Sequence, residues 1–293
     1  MKIVLNLRGE NLKNLNVMEI ASKNVFSLPQ TSTIMSALKS MLKRNFRRVP
    51  IADAGTKRLQ GIISATDLIN FFGGGDKHKL VEERYDGNLS AAVNAEIKEI
   101  MEKNVIVVRD SDTIKDAVEL MFKRNVGGCP IVNKDNILTG IITERDILEF
   151  LSKHKEIDGN VSDYMTKGVI TVNPNETIRM VMKKMIEKKF RRLPIINEGI
   201  LIGMVTVREL LKYFGREAFK KLITGDIKDV IDRPISTLIE FFKEPLTFPP
   251  DARISQIVSA MIEKGYGSAL IVEDQKLVGI ITERDIVRFL YTL

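Results

Sequence analysis

Four times along the chain a hydroxyl residue stands three positions before a carboxylate at the start of a helical pattern: Ser64 and Asp67, Thr143 and Asp146, Thr206 and Glu209, Thr282 and Asp285. Two chemistries suit that spacing. In a capping box the hydroxyl accepts from a backbone N–H, and the acid reaches back toward the helix start, whose positive end favours it. The usual acid of the box is Glu or Gln, yet three of the four copies carry the shorter Asp. In the second chemistry the acid holds a sugar. Each copy follows an apolar strand, and a strand leading into a helix N-terminus is where α/β units bind anions. An acid beside such a turn is what a ribose hydroxyl needs. The two roles can coexist on different atoms. Twice the motif lies in one octapeptide, Gly-Ile-Ile-Thr-Glu-Arg-Asp-Ile, at 140–147 and again at 279–286.

Other chemistries find little support. His78 and His154 have no Cys or acid cluster at ligand spacing, so no metal is expected. The run GGGDKHK at 73–79 lacks the Gly-Lys-Ser/Thr ending of a phosphate loop and reads as a flexible linker. With no nucleophile–base pair and no Walker motif, the expectation is a protein that binds without catalysing and uses no cofactor.

The elements that must position these acids repeat with them. An apolar strand, a polar turn and a helix start recur as VFSLPQTSTI, VIVVRDSDTI, VITVNPNETI and LTFPPDARI. The helix closes into a strand at RNFRRVPIAD, RNVGGCPIVN, KKFRRLPIIN and KGYGSALIVE. A Gly-led strand then enters a helix at GIISATDLI, GIITERDIL, GMVTVRELL and GIITERDIV. The spacing from the helix-start Ile to the acid is 33, 32, 31 and 31 residues (Ile34 to Asp67, Ile114 to Asp146, Ile178 to Glu209, Ile254 to Asp285). Helical periodicity in TIKDAVELMFKRNV and short apolar runs in CPIVN and LTGIIT predict strand–helix–strand–strand–helix for each unit. One such unit cannot cover both faces of its sheet, so units should pair. The first and third share FRR before Val-Pro or Leu-Pro; the second and fourth share a Gly-containing turn and Thr-Glu-Arg-Asp.

Bulk properties agree with a folded α/β protein. The 293 residues are 44% hydrophobic, enough for a core, with a net charge of +7. Lys and Arg alternate with Glu rather than gathering into a block, which argues against a nucleic-acid stripe. A single cysteine, Cys129, allows no intrachain disulfide and fits a reducing, cytoplasmic setting. No apolar run reaches the ~18 residues of a membrane span, and the N-terminus does not read as a signal peptide.

The order of P-x-x-T-I, Arg-Leu-Pro-Ile-Ile and Gly-Ile-Ile-Thr-x-x-Asp-Ile resembles the CBS domain, and the resemblance covers roughly residues 17–293. It implies an α/β (α+β) fold of four CBS repeats paired into two Bateman modules, an arrangement able to close into a disk-like assembly. The arrangement is similar to the gamma subunit of AMP-activated protein kinase and related four-repeat microbial proteins. The ranges implied are 1–73 (N-terminal segment and first repeat), 74–96 (linker), 97–154 (second repeat), 155–215 (third), 216–230 (linker) and 231–293 (fourth).

The family senses adenosine ligands, so the resemblance implies AMP, ADP or ATP as regulatory ligands, with S-adenosylmethionine as an alternative; the net charge and the Arg pairs leave a nucleic-acid-binding regulator as a further one. Output would need an effector protein or self-association as a dimer; no membrane is implied. Ribose hydroxyls would be held by Asp146, Asp285, Asp67 and Glu209 with Thr143, Thr282, Ser64 and Thr206. Phosphates would fall to Arg145, Arg284, Arg208, Arg47, Arg48, Arg191 and Arg192, Arg being suited to bidentate contact. Thr66 stands where the other units have the Arg before the acid.

The resemblance also sets adenine-side residues. Asp146 would go with Phe26, Phe46 and Arg47, and Asp285 with Ile170, Phe190 and Arg191. Asp67 would go with Ile106, Val126 and Gly127, and Glu209 with Thr247, Tyr266 and Gly267. The first two combinations are expected to be the strongest. Simpler readings exist: Phe46 and Phe190 as core, the Arg pairs as complements to a helix dipole, and Gly127 and Gly128 as helix terminators.

Overall fold

The computed structural model describes residues 15–154, 159–218 and 227–292, with the side chains of 154, 217–218 and 289–292 excepted. Residues 1–14, the His154 side chain, the expected boundary at 155 and residues 219–226 of the expected linker lie outside the described residues.

Each repeat opens on a helix: Ile34–Arg44, Ile114–Lys123, Ile178–Lys188 and Ile254–Glu263. All four bury the same positions, the first, fourth, fifth and eighth residues. These are Ile34, Ala37, Leu38 and Met41; Ile114, Ala117, Val118 and Met121; Ile178, Val181, Met182 and Met185; Ile254, Ile257, Val258 and Met261. That spacing makes one apolar stripe on a 3.6-residue helix. The first three helices begin at Thr33, Thr113 and Thr177, whose hydroxyls accept from backbone N–H groups of the first turn.

Hairpins follow the helices. They are β1 (Arg48–Ala52) with β2 (Leu59–Ser64), β4 (Gly128–Val132) with β5 (Leu138–Thr143), β6 (Arg192–Asn197) with β7 (Ile200–Thr206), and β9 (Ser268–Glu273) with β10 (Lys276–Thr282). All four are antiparallel and each carries one register shift. The strand expected before each helix is short: β3 (Val108–Arg109) pairs parallel with β4 and β8 (Thr247–Phe248) with β9, while Leu28 and Val172 make single parallel bridges to Ile51 and Ile195. A closing helix carries the acid: Ala65–Ile69, Glu144–His154, Val207–Tyr213 and Glu283–Thr292.

Two compact units form. One holds the described residues of Met1–Val25, Val105–Val169 and Pro245–Leu293, and the other those of Phe26–Asn104 and Ile170–Glu244. The helical core of the first joins the second and fourth repeats; that of the other joins the first and third, where Phe72 stacks on Phe214 with ring centroids 4.3 Å apart. Cores therefore join repeats that are not sequence neighbours, which repeat order alone does not reveal. Short leading segments pack within the same units: Ser22 bridges Ile141 and Thr166 bridges Ile280 in one, and Ile62 bridges Glu102 in the other. These segments explain the leading glycine of the Gly-Ile-Ile strand. A Cβ on Gly61 would lie 2.6 Å from Met101 Sδ and 3.1 Å from the Glu102 carbonyl, and one on Gly279 would overlap Met165.

The segment read as a flexible linker is folded. Val81, Leu89, Ala92 and Val93 are buried in the core, and His78 is buried with Nδ1 2.8 Å from the Phe71 carbonyl oxygen. The GGG run is a tight turn: Gly73 has φ 125°, and a Cβ on Gly74 would stand 2.8 Å from the Ile69 carbonyl oxygen. Close packing against fixed backbone, rather than flexibility, is why glycine stands there.

Candidate ligand site: the hydroxyl and acid turns

Three of the four turns share one geometry. Asp67 Oδ2 accepts from the Ser64 N–H at 2.8 Å and from its hydroxyl at 2.6 Å; Asp146 does the same with Thr143, and Asp285 with Thr282, at the same distances. In return each hydroxyl accepts from the Asp N–H at 3.2–3.4 Å. The capping role is thus present, and Asp is long enough for it. The third repeat differs. Thr206 donates to Glu209 Oε2 but accepts from the Arg208 N–H at 3.2 Å, so the extra methylene moves the turn by one residue. Glu209 is buried, with Lys212 4.0 Å away.

Capping uses only one oxygen of each Asp. The second oxygen of Asp146 and of Asp285 has no protein partner among the described residues, whereas Asp67 Oδ1 takes the ammonium of Lys77. Burial raises the Asp146 carboxyl above its ordinary 3.8, against the lowering effect of the Thr143 hydroxyl and N–H. An ionised carboxylate with one oxygen locked and one unpaired is arranged to accept from hydroxyl donors.

The adjacent arginines are engaged inside their unit. Arg145 Nε lies 2.8 Å from Glu283 Oε1, and its other nitrogens donate to the carbonyls of Met261 (3.2 Å) and Tyr266. Arg284 Nε lies 2.7 Å from Glu144 Oε1, and Nη1 donates to Asn125 Oδ1. Each Thr-Glu-Arg-Asp copy therefore gives its Arg to the other copy's Glu. Both Glu144 and Glu283 are buried. At the same position the other unit buries Ala65 and Val207.

The basic residues of the first and third repeats stand at strand entries. The Arg47 carbonyl accepts from the Ala65 N–H at 2.8 Å and that of Arg191 from the Val207 N–H at 3.0 Å; Gly127 and Gly267 do the same for Glu144 and Glu283. Arg48 and Arg192 begin β1 and β6. Phe46 and Phe190 each follow a left-handed residue ending the helix, Asn45 (φ 60°) or Lys189 (φ 56°), as Val126 follows Asn125 (φ 55°) and Tyr266 follows Gly265 (φ 67°). Phe46 is 41% exposed, Phe190 39% and Ile170 38%, so none of them is a core residue. Phe26 lies 6.5 Å from the Phe46 ring and carries the Arg44 guanidinium 4.2 Å over its face. Ile106 and Val126 are partly buried and Thr247 is exposed on β8. Among the described residues no group of His, Cys, Asp and Glu could hold a metal, and no helix is long and apolar enough to cross a membrane.

A family model described as the CBS domain matches four stretches of the chain: 17–74, 97–153, 161–216 and 228–292. The chain belongs to the CBS-domain family. Protein MJ1225 of Methanocaldococcus jannaschii is 34% identical to it over 278 residues that cover 94% of this chain and 99% of that one. The crystal structure of MJ1225, described as a candidate archaeal homolog of g-AMPK, matches with a TM-score of 0.89 over the same shares. A 33.4 kDa protein from the ribosomal RNA operon of Thermofilum pendens is 30% identical over 260 residues, 88% of this chain and 85% of its own. A conserved protein of Pyrococcus horikoshii shares the fold (TM-score 0.58, 17% identity, 94% and 100% coverage).

Three residues make contacts around these turns that the sequence did not announce. Glu144 and Glu283 lie inside the octapeptide, and their signal was present: only the two repeats that have Arg before Asp also have Glu before Arg. Lys77 lies in a stretch whose glycines suggest flexibility, and one-dimensional spacing gives no hint that it returns to Asp67.

Proposed function

We propose that this CBS protein is a regulatory sensor of adenine nucleotides, AMP, ADP or ATP, that signals energy state to a protein partner without catalysis. The carrying observation is the second oxygen of Asp146 and Asp285, which has no protein partner among the described residues, on a carboxylate held in place by a capped turn. On this reading the two ribose hydroxyls donate to that oxygen. Thr143 and Thr282 fix the carboxylates, and Ser64, Asp67, Thr206 and Glu209 mark the weaker positions. The exposed Phe46, Phe190 and Ile170, with Phe26, serve the adenine; Ile106, Val126, Gly127, Thr247, Tyr266 and Gly267 are the corresponding residues for the weaker positions. Arg47, Arg48, Arg191, Arg192 and Arg208 serve the phosphates. Arg145 and Arg284 serve them only in competition with Glu283 and Glu144. The likeness of MJ1225 to g-AMPK supports the nucleotide reading. The repeat boundaries given above and a cytoplasmic setting belong to the same proposal.

Calorimetric titration of the full chain with AMP, ADP, ATP and S-adenosylmethionine tests it. Binding of at least one adenine nucleotide at micromolar to low millimolar concentration is expected. S-adenosylmethionine shares the adenosine but has no phosphate, so its preference over all three nucleotides would replace the energy reading with a methyl-donor one. No binding by any of the four would end both.

A further inference from the structure

The first repeat has the same capped Asp as the second and fourth, but it is closed by the chain itself. We infer that Lys77 is a built-in occupant of the Asp67 position, a cation that keeps this acid from taking ribose hydroxyls. The inference rests on the adenosine reading above for what it excludes, and on the fold alone for the contact.

The Lys77 ammonium donates to Asp67 Oδ1 and to the carbonyl of Ile100. Asp67 Oδ2 is already committed to the Ser64 N–H and hydroxyl. Both carboxylate oxygens are therefore used, whereas Asp146 and Asp285 each retain one with no protein partner among the described residues. A ligand hydroxyl would have to displace a charge-assisted bond roughly twice as strong as a neutral one.

The placement of Lys77 is built rather than incidental. The helix bearing Asp67 stops at Ile69, and the chain turns through Gly73, Gly74 and Gly75. Gly73 adopts φ 125°, and Gly74 and Gly75 approach Ile69 O and Asn70 Oδ1 to distances that exclude a side chain. Asn70 Oδ1 then accepts from the Lys77 N–H at 2.8 Å. Buried His78, with its ring Nδ1 on the Phe71 carbonyl, anchors the following residue. The Ile100 carbonyl comes from the segment that opens the second repeat and packs against β2. Ten residues after its acid the second repeat has Glu156 and the third has Phe219, so a Lys at this spacing is a feature of the first repeat's sequence.

The test counts AMP equivalents on the full chain by calorimetry for the wild type, Lys77→Met and Lys77→Met with Asp67→Asn. Met keeps the length and apolar stem; Lys77→Gln, which retains a donor for Ile100, replaces it if thermal unfolding shows that Met weakens the fold. The expected result is one more equivalent bound by the Lys77 variant than by the wild type, returning to the wild-type number in the double variant. An equal number, or a lower one, overturns the inference, the latter making Lys77 a ligand contact. A wild type that binds nothing beside a Lys77 variant that binds one equivalent would uphold the inference while removing Asp146 and Asp285 as ribose acids.

Discussion

Arg145 of the second repeat is paired with Glu283 of the fourth, Nε to Oε1 2.8 Å, and Arg284 of the fourth is paired with Glu144 of the second at 2.7 Å. The pairs are reciprocal, so the charged half of the octapeptide is constrained by its own second copy. A change of Glu in one repeat strips the Arg of the other. This explains why Thr-Glu-Arg-Asp is kept twice without requiring that the Glu and Arg touch a ligand. The Glu283 side chain is only 1% exposed, so loss of its Arg leaves a poorly compensated buried charge. Arg145→Met is expected to cost about 3 kcal/mol in chemical denaturation, the lower part of the range for breaking a buried pair. Combining it with Glu283→Val, the residue type at the equivalent site of the other unit, should recover most of that loss. A double-mutant cycle showing simple additivity would contradict the pairing.

Asp146 should make ligand binding sensitive to acid. Burial raises its carboxyl pKa above the usual 3.8, and ribose hydroxyls need the ionised form to accept their bonds. Affinity at the Asp146 position should therefore fall as pH decreases through that raised value, before an ordinary carboxylate protonates. The stability sign is opposite. The folded chain favours the protonated acid, so the contribution from Asp146 is greatest below its unfolded pKa and is lost as pH rises through the folded one. Asp146→Asn keeps an acceptor for Thr143 and should leave the ligand-free protein as stable as the wild type or more so at pH 7, with the difference disappearing in acid. Thermal unfolding against pH reads this; a large loss at pH 7 would count against it.

Gly279→Ala should destabilise through packing rather than ligand loss. The added methyl would overlap Met165, and overpacking of this kind costs typically 1–3 kcal/mol. Because Met is flexible, Met165→Ala in the same chain should restore part of the loss. Gly140→Ala, whose Cβ would lie 3.3 Å from Ile131 Cδ1 and 3.4 Å from Met18 Sδ, should be milder. Denaturation midpoints of the three variants decide the order.

Much of this was legible in the sequence because repetition averages out local ambiguity. The Ile, Ala/Val/Ile, Leu/Val/Met and Met positions of the four opening helices follow directly from 3.6-residue spacing, and the hairpins from short apolar runs broken by polar turns. Three features were not legible, each for a physical reason. The stacking of Phe72 on Phe214 joins residues 142 positions apart, and an apolar stripe does not name its partner. Glu144 and Glu283 look like solvated helix charges until their reciprocal arginines are seen. The GGG turn has a composition shared by flexible linkers and by backbone packed too tightly for a Cβ, and only the contacts of Gly73 and Gly74 tell them apart.

The central claim is that Asp146 and Asp285 are the two open ribose acids while Asp67 and Glu209 are not. AMP titration of Asp146→Ala, Asp285→Ala and Glu209→Ala in the full chain tests it most directly. The account predicts that each Asp variant loses one strong equivalent and that the Glu209 variant binds as the wild type does. Equal losses in all three, or unchanged binding in both Asp variants, would contradict it.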